Sequence, residues 1–231
     1  MLLRALLPVR CPGCGATAPA GPSPCGRCAE GLRPAPGGPR PDGLDACWSL
    51  LAYQDVGKRV VTSLKYHRNR TALAWLAAGM AALASPPTAV VVTWAPTTEA
   101  RRRRRGYDQA ELLAAVVARR WGAPCAPLLA RKAGPPQTGR SLEDRRTGPI
   151  VLPRAGSRAV AAGRPVVIVD DVLTTGSTLT AAARALRAVD VGWVAGLTAA
   201  RTPRADASPP CVLAMPPPVE EIAQVRGPTG R

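Results

Sequence analysis

Apolar residues along this chain follow two different periods. Continuous runs at Val166–Val169, Thr88–Trp94 and Val191–Ala199 are short and rich in β-branched residues. Runs of that kind predict strands buried on both faces. Cys47–Gln54 reads as a further strand. Between these lie stretches with helical spacing: Val56–Tyr66, the Ala-rich Thr71–Ala84, Asp108–Arg120 with an apolar face at Leu112, Leu113, Val116 and Val117, and Thr180–Val189. Strands alternating with helices predict an α/β fold, a mostly parallel sheet covered by helices on both faces. Ligands in such sheets bind at the carboxyl ends of the strands. The segments after Trp94 and after Val169 belong at that edge.

Val166 to Thr178 reads VVIVDDVLTTGST. Two carboxylates, Asp170 and Asp171, stand where the apolar run is expected to end. Thr174, Thr175, Gly176, Ser177 and Thr178 form a hydroxyl-rich turn ahead of a helix. Free backbone N–H groups and the positive end of a helix dipole make such a turn an anion site. Its hydroxyls donate to phosphate oxygens. The carboxylates do not suit phosphate itself. They suit the vicinal hydroxyls of a ribose, or Mg²⁺ held through water. A 5-phosphorylated ribose with a metal fits all of these features. An ordinary strand–turn–helix with a Thr cap is the plainer alternative.

Four cysteines precede this region, as Cys11-Pro-Gly-Cys14 and Cys25-Gly-Arg-Cys28. Two CxxC pairs suit a tetrahedral Zn²⁺ held by four thiolates. All four positions are then filled by protein, which makes the metal structural rather than catalytic. The intervening segment is rich in Pro and Gly and too short to fold without a staple. Residues 33–45 read as a Pro/Gly linker, and 202–231, with seven prolines, as a mostly disordered tail. The expected organisation is a zinc ribbon with an N-terminal arm over 1–32, the linker over 33–45, the α/β domain over 46–201 and the tail over 202–231.

Composition changes the picture modestly. The 231 residues are 46% hydrophobic, enough for a core, but contain no Phe, so aliphatic and Ala packing must dominate. The net charge of +16 attracts phosphates, on a small substrate or on nucleic acid. Arg outnumbers Lys 28 to 3, a bias that a GC-rich genome also produces. Arg101–Arg105 is the densest run. It suits diphosphate or a nucleic-acid backbone, or is a solvated face. No stretch approaches the roughly 18 apolar residues of a membrane span. MLLRALLPVR has no cleavage-site pattern before Cys11 and reads as a short helix or arm, so the protein is expected in the cytoplasm. His67, the single histidine, reads as a surface residue. Cys47 and Cys125 read as small packing residues.

Three features in order resemble the ComF-type competence proteins and their GntX-like relatives. They are the paired CxxC knuckles, Arg105-Gly106-Tyr107-Asp108-Gln109, and Asp170–Thr178. Tyr107 and Asp108 stand where that family usually has Phe and Asn. The 166–178 stretch by itself resembles the phosphoribosyl-diphosphate (PRPP) motif of type I phosphoribosyltransferases. The resemblance implies a type I phosphoribosyltransferase fold with a small N-terminal zinc ribbon. It implies that Asp170, Asp171 and Arg105 carry catalysis, and that Val169, Asp170, Asp171, Thr174, Thr175, Gly176, Ser177 and Thr178, with Pro96 and Thr97, bind PRPP and Mg²⁺. Residues 131–147 resemble the flap of these enzymes, with Arg131, Lys132, Arg145 and Arg146 neutralising the departing diphosphate. The implied reaction transfers phosphoribosyl to a nitrogen nucleophile. Hypoxanthine-type enzymes, by the same resemblance, carry Asp where this chain has Thr174, which weighs against a 6-oxopurine. Single-stranded DNA and competence or DNA-processing proteins are the implied partners. The alternatives are a non-catalytic single-stranded nucleic-acid-binding factor and a PRPP sensor.

Overall fold

The computed structural model describes residues 10–17, 24–66, 70–132 and 149–203. Its four-stranded sheet has the order β1-β6-β5-β2, with β1 at Ala46–Ala52, β2 at Val91–Trp94, β5 at Pro165–Leu173 and β6 at Trp193–Arg201. Every pairing in it is parallel. Two short strands, β3 (Leu129–Arg131) and β4 (Val151–Pro153), pair antiparallel beside it.

Strand alternation divides the core in two. Val167 and Val169 of β5 face a layer built from α2 (Asp55–Tyr66), α3 (Arg70–Ala82) and α5 (Gln109–Trp121), whose buried residues include Val60, Leu76, Leu113 and Val117. Val166 and Ile168 face the opposite layer, which contains α6 (Ser157–Ala161), α7 (Ser177–Arg187) and the β3–β4 pair. Both faces of β5 are therefore covered, as its unbroken apolar run requires.

Several boundaries differ from the sequence expectation. The strand expected over 88–94 begins at Val91, because Ala89 turns the chain with φ 61°. Strand β5 does not stop before the carboxylates: pairing continues through Asp170–Thr198 to Leu173–Arg201. The final helix starts at Ser177, ahead of Thr180. In α5 the buried stripe is Ala110, Leu113, Ala114, Val117 and Ala118, while Leu112 is 39% exposed. A helix not expected from periodicity, α4, spans Glu99–Arg105.

Segment 33–45 is laid against the sheet. Ala52 N–H donates to Arg33 O, and Ala35 N–H donates to Leu50 O, along the outer side of β1. Beyond β2, Val92 N–H donates to Pro124 O and its carbonyl accepts from Ala126 N–H. Asp45 closes the segment: its Oδ2 accepts from Val194 N–H at 2.7 Å and pairs with Arg187 at 2.5 Å. Thr202, expected in the tail, donates its N–H to Leu173 O. The arm over 1–9, His67, Arg145 and Arg146, and the tail from 204 lie outside the described residues.

Candidate functional site

The four cysteines come together through two turns. Cys25 and Cys28 flank the start and middle of α1 (Gly26–Glu30), and Cys11 and Cys14 flank the turn at Pro12-Gly13. Their sulfurs all lie within 4.8 Å of one another. Cys14 Sγ and Cys25 Sγ are 3.7 Å apart. Metal–sulfur bonds of about 2.3 Å in a tetrahedron put sulfurs about 3.8 Å apart, so the arrangement fits zinc. Backbone N–H groups of Gly13 and Cys25 point at Cys11 Sγ, at 3.4 and 3.3 Å. Burial raises the Cys11 pKa, but the N–H groups of Cys25, Cys14 and Gly13 outweigh it and bring the thiol to about 6. Such donors favour the thiolate a metal needs. Gly13 cannot be larger, since a Cβ there would stand 2.8 Å from Cys28 Sγ. Arg59 of α2 donates to Gly13 O at 2.9 Å, and Cys11 and Cys28 join the core that contains Val56 and Val60. The cluster fits a small zinc ribbon seated on α2.

The second site is a cavity of about 240 Å³ at the carboxyl ends of β1, β2 and β5. One wall is Asp170, Asp171, Thr174 and Thr178. Another is Ala95, Pro96 and Thr97 after β2, with Arg101 and Arg105 of α4 and the start of α5. Arg131 of β3 and Tyr53 beyond β1 complete it. Backbone geometry builds each wall. Thr98 caps α4 by accepting from Arg101 N–H, and Gly106 ends it in the left-handed region. Asp108 caps α5: Oδ1 accepts from Ala110 N–H at 3.0 Å, and Oδ2 accepts from Thr97 N–H at 3.1 Å. That carboxylate therefore fixes the turn after β2 against the helix start. Tyr107 donates its hydroxyl to Leu64 O of α2, holding the α4–α5 corner from behind.

The hydroxyl turn is preorganised. Thr175 and Ser177 hydroxyls lie 3.1 Å apart, and Ser177 N–H reaches Thr175 Oγ1 at 3.4 Å. Gly176 sits at φ 84°, and a Cβ there would stand 2.9 Å from Pro41 Cγ. Both facts require glycine.

Burial and like charges shift the ionisable groups of the cavity. Burial and the Asp171 charge push Asp170 well above the ordinary carboxylate range, against the Asp171 N–H that donates to it at 2.7 Å. Burial likewise raises Asp108, despite the N–H groups of Thr97 and Ala110. Burial and neighbouring Arg101 lower Arg131, while Asp170 draws it the other way. Anionic groups of a ligand would pair with Arg101 and Arg131, and a cation or sugar hydroxyls would pair with Asp170 and Asp171.

Of the residues expected from sequence, Pro96, Thr97, Arg105, Arg131, Asp170, Asp171, Thr174 and Thr178 line this one cavity. Thr175, Gly176, Ser177 and Lys132 are not among its lining residues, and Val169 is fully buried in the core. Tyr53, Arg101, Asp108 and Gln109 also line it without having been singled out individually as ligands. Tyr53 follows a strand at the ligand-binding edge, which is the signal that could have found it.

Residues 108–209 match the phosphoribosyl transferase domain. The matched stretch is under half of the chain. Among solved structures, the allosteric regulatory enzyme of purine biosynthesis is similar at 22% identity and TM-score 0.38, over 55% of this chain and 25% of that one. Glutamine PRPP amidotransferase from B. subtilis, complexed with ADP and GMP, is similar at 23% identity and TM-score 0.38, over 54% and 25%. Adenine phosphoribosyltransferase from Leishmania donovani is similar at 17% identity and TM-score 0.29, over 71% and 80%. The matched region thus spans a quarter of the length of the first two. No curated protein matches the chain. The matched stretch starts at the Asp108 cap and includes β5, the hydroxyl turn, α7 and β6. No described helix is long and apolar enough to cross a membrane.

Proposed function

We propose that this chain is a cytoplasmic, ComF-type phosphoribosyltransferase that binds PRPP with Mg²⁺ and transfers the phosphoribosyl group to a nitrogen nucleophile. The carrying observation is the single cavity that unites Asp170, Asp171 and Thr174 with Thr97, Arg105 and Arg131. In this reading the 174–178 turn takes the 5-phosphate. Asp170 and Asp171 take the ribose hydroxyls and hold the metal through water. Pro96, Thr97 and Arg105 take the diphosphate. Mg²⁺, when bound, neutralises charge on the leaving diphosphate. In the reaction the nitrogen forms a bond to the anomeric carbon while the bond from that carbon to the diphosphate oxygen breaks, and the electron pair leaves with the diphosphate. Arg105 and Arg131 stabilise the negative charge that grows there, in a site where a guanidinium is worth more than in water. The zinc ribbon, linker, transferase domain and tail divide at 32, 45 and 201 in the same reading.

Calorimetric titration with PRPP and Mg²⁺ tests it. The wild type binds, and Asp170→Asn with Asp171→Asn does not. Normal binding by the double variant would remove the carboxylates from the site.

A second reading rests on α4. Arg101 to Arg104 are exposed, and no residue of this helix is buried. Such a row suits the backbone of single-stranded DNA, as a competence role requires. Affinity for a labelled single strand should then fall steeply with salt, and reversing Arg102 and Arg104 to Glu should flatten that slope.

A further inference from the structure

Gln109 opens α5 directly after the Asp108 cap, and only 4% of it is exposed. Its Oε1 accepts from Arg105 Nη1 at 2.9 Å. A guanidinium can only donate, so this bond settles which end of the amide faces Arg105. The other end, Nε2, is buried and has no hydrogen-bond partner among the described residues. Asp108 does not serve it: its oxygens accept from the Thr97 and Ala110 N–H groups, and no bond joins them to Nε2. A buried donor left unpaired costs stability that an apolar side chain of the same shape would not. Gln109 lines the cavity on the wall that carries Thr97 and Arg105.

From this we infer that Gln109 is a specificity-determining residue for the diphosphate end of the ligand. Its Nε2 donates to a diphosphate oxygen, and its Oε1 holds Arg105 in register with the same group. The assignment to diphosphate rests on the PRPP reading above, in which the 174–178 wall receives the other phosphate. The chemistry favours an amide at this position. It supplies a donor without a negative charge, beside a carboxylate that the cap already requires. Glu would keep the contact to Arg105 and turn a second carboxylate toward the anion.

The test is titration of wild type, Gln109→Met and Gln109→Glu with PRPP, ribose 5-phosphate and inorganic diphosphate, each with Mg²⁺. Gln109→Met should bind PRPP and diphosphate roughly tenfold or more weakly, as loss of a hydrogen bond to a charged group predicts, and ribose 5-phosphate as wild type does. Gln109→Glu should lose more. The melting temperature of ligand-free Gln109→Met should change little, because removal of the unpaired buried donor offsets loss of the bond from Arg105 to Oε1. Equal weakening toward ribose 5-phosphate would make the residue merely structural and overturn the inference. So would unchanged affinity for PRPP and diphosphate. If the wild type binds diphosphate but not PRPP, and Gln109→Met loses it, the role of Gln109 stands while the PRPP reading falls. A wild type that binds neither overturns both.

Discussion

The cysteine cluster and the strand-end cavity are both polar sites set against the same aliphatic core, but they are balanced differently. The cluster is closed. Four sulfurs converge on one point, N–H groups face Cys11, and Arg59 fastens the turn to α2. The cavity is open and its charges oppose one another. Asp170 stands beside Asp171, Arg131 is unsettled by Arg101, and Gln109 keeps an idle donor. Four converging sulfurs suit a single ion held permanently, an arrangement that serves the fold. Opposed charges and an idle buried donor weaken the fold and suit a ligand that comes and goes.

The comparison is broken most severely by removing the metal ligands. Cys25→Ser with Cys28→Ser should abolish a zinc content of one per chain, measured by elemental analysis. It should also lower the melting temperature sharply, since structural zinc in small peptides contributes on the order of 10 kcal/mol to folding. Cys28 is 3% exposed within the α2 core, so the damage should extend beyond the ribbon. A zinc-free native protein that melts normally would contradict the assignment.

Next comes the carboxylate pair, where the sign should reverse. Asp170→Asn with Asp171→Asn should raise the ligand-free melting temperature while removing PRPP binding. The folded chain retains a proton on Asp170 that the unfolded chain releases near pH 3.9, the ordinary Asp value. Its pKa is raised by burial and by Asp171, so stability falls as pH rises from that value through the raised one. The difference between wild type and variant should be small in acid, widen across that window and level off above it. A melting temperature that rises with pH in the wild type, and not in the variant, would refute the electrostatic account.

The smallest effect sharpens the boundary between the two behaviours. Asp108 serves the fold as a cap and the cavity as the anchor of Thr97. Asp108→Ala should cost about 1–2 kcal/mol, typical for a lost cap. For a chain of this size that is a drop of roughly 2–8 °C, with weaker PRPP binding besides. Loss of stability without loss of binding would show that the turn after β2 holds its shape unaided.

Much of this was legible from pattern alone. Helices α2, α3 and α5 and the apolar part of β5 follow from periodicity, and both polar sites follow from residue type and spacing. What escaped depends on tertiary approach. Two adjacent carboxylates read as the end of a strand, yet pairing with β6 carries β5 four residues past Val169. Five consecutive arginines have no apolar period, so α4 was marked only by its ends, Thr98 with Glu99 and then Gly106. Asp108 and Gln109 were visible as part of the Arg105–Gln109 motif, but not the contacts they make with Thr97 and Arg105, which only the folded corner between β2 and α5 shows.

The stretch over 33–45 has a consequence that its composition conceals. A parallel sheet of four strands has two outer rows of N–H and C=O groups, each able to template an additional strand from another molecule. Here residues 33–35 occupy part of the row on β1, and residues 124–126 occupy part of the row on β2. Pro34 and Pro124 stand at those borders, and proline has no N–H to pass on to a further strand. At those positions the proline-rich coil guards the sheet against edge-to-edge aggregation while the chain waits for its ligand.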